Sequence, residues 1–298
     1  MRRPLSPWID CLLWLFTGWF AGLTVTVSGM ALERAVSPGP WFRTLLNVAP
    51  SLAGTGLVVL LGLSASRSRP AAVLSLRRPP WIALPWIALS SFCLALLSAG
   101  LNTWIERVLP MPPAVEALFK QILEYHTFPQ FLGVFFFLVV TAPVTEELMF
   151  RGLFLHRLSE SHGRIHAILG SALFFGVSHL LPWQIIGATL IGIYLGWLVT
   201  RTGSILMPIA AHGFFNLVPV AAIGLSEHAP NARGLGAGGG EFYPTPGLLV
   251  GAALALAAGI LGTLRTTRQP GAGCPSGPPP APAGPPPGPF APDSPRSL

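Results

Sequence analysis

The sequence predicts an all-α fold, a polytopic transmembrane helix bundle of about eight spans. Three observations point to it. Only 10% of the 298 residues are charged and 51% are hydrophobic, against about 25% charged in a soluble domain, and the mean hydropathy is +0.61. The apolar residues fall in long runs free of Asp, Glu, Lys and Arg, and roughly 20 such residues cross a bilayer as a helix. The runs do not alternate in ~10-residue segments as the strands of a membrane barrel would. A soluble enzyme, a disordered chain and a secreted disulfide scaffold are excluded together.

The elements follow in order. Cys11–Leu32 is the first run. Arg2 and Arg3 precede it as in a signal peptide, but it is too long for an h-region and reads as a retained anchor. Thr44–Ser66, Pro79–Ile105 and Tyr125–Thr145 supply the second, third and fourth spans. Ile165–Thr200 is long enough for two spans, and Pro182 offers the break. Thr202–Ser226 and Phe242–Leu264 complete the set. Residues 106–124 mix charges with Leu, Ile and Phe, as either an interfacial amphipathic helix or a loop helix would. Residues 229–240 read as a Gly-rich loop. The Pro/Gly/Ala tail cannot form a packed core and is expected to be disordered. The chain thus divides into N-terminal helices with an interfacial segment (1–124), a core (125–226), a loop with the last span (227–268) and the tail (269–298).

The net charge of +7 comes without a basic helix or long Lys/Arg cluster, so no nucleic acid is expected. The arginines instead report topology, and their bias places both termini in the cytoplasm. Cys11, Cys93 and Cys274 lie far apart with no CxxC, which implies neither a disulfide nor a cysteine-held metal.

Ionised groups inside a bilayer cost several kcal/mol and are functional candidates by default. Glu147 and Arg151 stand four apart and can pair on one helix face. Glu146 is rotated about 100° away and free to point elsewhere. Phe175 and His179 share a face, as do His212 and Asn216. A turn at residues 160–163 makes the flanking helices a hairpin. Glu146 lies 16 residues before His162 and His179 lies 17 after it, so at about 1.5 Å per residue both sit roughly 20–25 Å from the turn. A carboxylate, two imidazoles and a carboxamide can therefore converge inside the membrane.

That set suits peptide hydrolysis, which needs an activated water and a stabilised oxyanion. A glutamate in an apolar setting can serve as general base. The two histidines can bind a metal together with Glu146, as in His₂Glu zinc sites, or orient the water directly. Asn216 can donate to the oxyanion, with Glu147–Arg151 as a supporting pair.

At these residues the chain resembles the CAAX-protease and bacteriocin-processing (CPBP, or Abi) family of intramembrane proteases. The family's EExxxR, FxxxH and HxxxN/D patterns read here as Glu146-Glu147-Leu148-Met149-Phe150-Arg151, Phe175-Gly176-Val177-Ser178-His179 and His212-Gly213-Phe214-Phe215-Asn216. The resemblance covers about residues 128–222. It implies that Glu146 is the catalytic carboxylate, that His179 and His212 are catalytic or bind metal with it, and that Asn216 holds the oxyanion. Glu147, Arg151 and Phe175 are implied as supporting residues. It also implies either a metalloprotease using zinc (Zn2+) or a metal-free, glutamate-driven mechanism. HExxH, GxSG and GxGD, the signatures of other intramembrane proteases, are absent.

The expected partners are the lipid bilayer and a membrane-associated peptide or protein, prenylated CAAX-type or bacteriocin-like. The expected location is a prokaryotic plasma membrane. Two non-enzymatic readings stand beside this one: a transporter whose polar groups line a path, and a silent scaffold or immunity protein. No internal repeat or pair of broken helices supports the transporter.

Overall fold

The computed structural model describes residues 6–36, 40–66, 68–117, 125, 127–228 and 245–267, all within one compact unit that ends at Thr267. The expected Gly-rich loop, the Pro-rich tail and part of the interfacial segment lie outside the described residues. Among the described residues every regular element is helical.

Helices α1 (Pro7–Val36) and α2 (Pro40–Ala65) pack side by side. Gly18 and Gly54 make this possible: a Cβ on Gly54 would lie 2.5 Å from the Gly18 carbonyl oxygen, so only glycine lets the backbones meet. After a single turn, α3 (Pro70–Val73), a 3₁₀ turn leads into α4 (Leu84–Val108). Thr127 caps α5 (Phe128–Phe135) through a reciprocal capping box with Gln130.

The chain then continues through two π-helical stretches, Phe136–Thr141 and Leu148–Phe154, on either side of α6 (Ala142–Glu147). Helix α7 (Leu155–Ser178) is broken at Gly163, whose φ of +73° suits glycine. The chain reverses there. Ser171 Oγ donates to the Phe150 carbonyl at 2.6 Å, and the rings of Phe150 and Phe175 lie 5.3 Å apart. Phe150 and Phe175 stand 13 and 12 residues from Gly163, so their contact has the register that equal heights for Glu146 and His179 require.

Pro182 opens α8 (Pro182–Thr202), and Gly203 ends it in the left-handed conformation. Helix α9 (Leu206–His228) packs on α4 and α8, and α10 (Pro246–Thr266) packs on α4. Arg201 fastens the end of α8 to that of α10, donating to the Leu264 carbonyl at 2.9 Å.

Five helices are long and apolar enough to cross a membrane: Pro7–Leu32, Trp81–Val108, Phe128–Ser178, Pro182–Thr202 and Pro246–Thr266. Within α2 and α9 the stretches Ala49–Ala65 and Leu206–Ala222 are apolar as well. Length and composition thus give five candidate spans among the described residues and do not confirm the eight expected. The difference lies in these two helices and in Phe128–Ser178, which counts as one helix although Gly163 folds it into two arms. Large side chains such as Phe20, Leu60 and Leu254 lie about 70% exposed on the outside of the bundle. Lipid, not water, suits such a surface.

Candidate active site

The two glutamates lie in α6, between the π stretches. A π turn carries an extra residue and occurs often at functional sites. It can also free a backbone carbonyl, and the first stretch shows where one goes. Pro143 has no N–H to give, so the Leu138 carbonyl, five residues back, lacks its partner within the helix. Asn216 Nδ2 donates to it at 2.8 Å. In the second stretch the Phe150 carbonyl accepts the Leu155 N–H and, in addition, the Ser171 hydroxyl. Helices α9 and α7 are thereby tied to the chain that carries Glu146 and Glu147.

Glu147 is fully buried and Arg151 is 1% exposed. Their ion pair, expected from the spacing, has Arg151 Nη1 2.8 Å from Glu147 Oε1. Arg151 Nη2 also donates to the Gly192 carbonyl at 3.1 Å. Its guanidinium lies 4.3 Å from the centre of the Phe175 ring, a cation–π contact. Such a pair is costly to bury and costlier still to break.

The same Glu147 oxygen lies 2.9 Å from His212 Nδ1. A carboxylate accepts, so Nδ1 donates and the Nε2 lone pair faces away. Nε2 is 3.8 Å from Glu146 Oε2. His179 is held in the same manner from the other side. Its Nδ1 lies 2.9 Å from the Phe175 carbonyl, which only accepts, so here too Nε2 is left free. The Phe175 ring stands edge-on to both imidazoles, 5.0 Å from His179 and 5.6 Å from His212.

Glu146, His179, His212 and Asn216 share one cavity of about 280 Å³ with Gln184 and Ser51. Phe137, Leu138 and Ala142 complete its wall. The residues expected to converge do so, while Glu147, Arg151 and Phe175 stand behind them. Gln184, in the first turn of α8, and Ser51, on α2, escaped the sequence reading. Gln184 had a signal, as a polar side chain within the Ile165–Thr200 run; a single serine in an apolar helix gives none.

Zinc needs three or four donors about 2.0–2.3 Å from one point. Among the described residues no group of three His, Cys, Asp or Glu side chains is placed to hold a metal ion. As arranged, Glu146, His179 and His212 do not fit the metal-binding set that the resemblance implied.

Comparison with known proteins falls on this same segment. Residues 128–218 match the family model described as Type II CAAX prenyl endopeptidase Rce1-like. The chain is 28% identical over 220 residues to human "CAAX prenyl protease 2", a match covering 66% of this chain and 60% of that protein. The chain thus aligns with less than two thirds of its relative's length. No solved structure matches it. The resemblance to CAAX-type proteases, carried by three motifs, therefore holds over the segment that supplies every lining residue of the cavity except Ser51.

Proposed function

We propose that this chain is an intramembrane endopeptidase hydrolysing peptide bonds of membrane-associated proteins, with CAAX-type prenylated chains as its substrate class. One observation supports this above the rest. A single cavity joins a carboxylate, two imidazoles with tethered Nδ1 atoms and a carboxamide, backed by a buried Glu–Arg pair. The family match and the human relative support the substrate class.

In this reading Glu146 is the base. Arg151 balances the charge of Glu147, which leaves Glu146 as the cavity's uncompensated carboxylate. A water near Glu146 and the free Nε2 lone pairs of His179 and His212 gives a proton to Glu146. Its oxygen bonds to the carbonyl carbon of the scissile peptide. The resulting oxyanion accepts a hydrogen bond from Asn216, whose other N–H remains on Leu138. Glu146 returns the proton to the amide nitrogen as the C–N bond breaks, and an acid and an amine leave. His212 and His179 hold the water in line, and Glu147 and Phe175 hold the histidines. No step passes through a metal.

The same proposal includes eight membrane crossings, counting α2, α9 and both arms of the Gly163 hairpin, with both termini in the cytoplasm of a prokaryotic cell. The Lys/Arg bias supports the orientation.

The test uses the full chain in liposomes and a fluorogenic CAAX peptide, farnesylated or not. The proposal expects one cleavage, faster for the farnesylated form. Neither peptide being cut, with the protein folded, contradicts it.

A further inference from the structure

Counting donors and acceptors around the cavity exposes a shortfall. Glu146 only accepts. His179 and His212 give their Nδ1 hydrogens to Phe175 and Glu147, so each presents an acceptor to whatever binds. Asn216 spends one N–H on the Leu138 carbonyl. A tetrahedral oxyanion is held by preorganised donors, commonly two or more, and Asn216 has one N–H left.

Gln184 fills the gap. It lies on the cavity wall five residues beyond His179, across the tight turn joining α7 to α8. Its backbone N–H is taken by the Leu181 carbonyl, as the first turn of α8 requires. Its half-buried carboxamide makes no hydrogen bond to any described residue, whereas the Asn216 carboxamide beside it does. A half-buried amide that protein leaves unpaired hydrogen-bonds to water or ligand, and two N–H groups are available. We infer that Gln184 is a further catalytic residue, donating an N–H to the oxyanion alongside Asn216. This rests on the proteolytic reading above. It gives the cavity wall opposed roles: acceptors that hold the water and take up one proton from it, and two carboxamides that hold the negative charge.

The experiment compares Gln184→Met, which keeps the length and loses both N–H groups, with Gln184→Glu and the wild type. The full chain is used in liposomes with a fluorogenic farnesylated peptide, and melting profiles check folding. Loss of an oxyanion donor costs about 10²–10³-fold in kcat. Gln184→Met is therefore expected to lose about 10²-fold in kcat with KM within about threefold, and Gln184→Glu, with a carboxylate facing the oxyanion, to lose more. A raised KM at unchanged kcat would make Gln184 a ground-state binder and overturn the inference. So would a wild-type kcat in Gln184→Met, or a kcat loss found only in Ser51→Ala, which removes the hydroxyl donor of the wall. If the wild type itself cuts nothing, the proteolytic reading fails and takes this inference with it. Cleavage by the wild type with Gln184→Met unimpaired sinks the inference alone.

Discussion

His212 Nδ1 lies 2.9 Å from Glu147 Oε1, across 65 positions of sequence. That oxygen is the one Arg151 Nη1 holds at 2.8 Å. Helix α9 is therefore keyed to the glutamate-bearing helix through a carboxylate already neutralised within its own helix. Glu147 sets the tautomer and orientation of His212 without facing the cavity.

Glu147→Gln is thus expected to lower kcat by at least tenfold and to destabilise the protein, because Arg151 is left buried and charged. Breaking one partner of such a pair costs about 3–5 kcal/mol. The double variant Glu147→Leu/Arg151→Met, apolar at both positions, is expected to recover much of the thermal stability and none of the activity. Melting temperature and turnover measured on the same samples separate the two effects. Equal activity in wild type and double variant would show that the pair serves packing alone.

Two glycines hold the histidine-bearing helices close. A Cβ on Gly176 would meet Thr189 Oγ1 at 2.0 Å and the Ile185 carbonyl oxygen at 2.8 Å; one on Gly213 would meet the Val139 carbonyl oxygen at 2.8 Å. Gly176→Ala pushes α7 off α8 beside His179, and Gly213→Ala pushes α9 off the first π stretch beside His212. Each is expected to cost about 1–3 kcal/mol, as overpacking does, and to lower kcat. Gly251→Ala, with open space around it, is the control, and melting curves of the three variants make the comparison. A Gly176→Ala protein as stable and active as that control would contradict the packing described.

Asn216→Leu removes both the tie to Leu138 and an oxyanion donor. The expected result is a kcat loss of about 10²–10³-fold with KM little changed. A change confined to KM would assign Asn216 to ground-state binding.

The ion pair of Asp10 with Arg157, 2.7 Å long, joins α1 to the first arm of the hairpin, and both side chains keep about a fifth of their surface exposed. Pairs of this kind are worth about 0–1 kcal/mol. Asp10→Asn is expected to shift the melting temperature slightly and to leave turnover within about twofold. A tenfold loss of turnover would mean that α1 positions the cavity.

Much of this site was legible in the sequence because it rests on local rules. The Glu147–Arg151 pair follows from helical spacing, and the break at Pro182 from the missing N–H. Equal heights for Glu146 and His179 follow from counting out from a turn that Gly163 provides. The π stretches were not legible: the donor that meets the Leu138 carbonyl, Asn216, arrives from 78 positions away. Asp10 and Arg157 stand 147 positions apart, so no local rule joins them. Gln184 and Ser51 are uncharged, and a search for charges in apolar runs passes over them. Length and composition alone also pass over the fold at Gly163: they read Phe128–Ser178 as one span, where the chain makes two arms of it.

The most direct test of the account is the rate at which Glu146→Gln, reconstituted in liposomes and folded as the wild type is, cuts a farnesylated peptide. The substitution keeps the side chain's size and removes the base. The account predicts loss of at least 10²-fold in kcat, in keeping with what a positioned base contributes, with peptide binding retained. A Glu146→Gln protein cutting as fast as the wild type would contradict it.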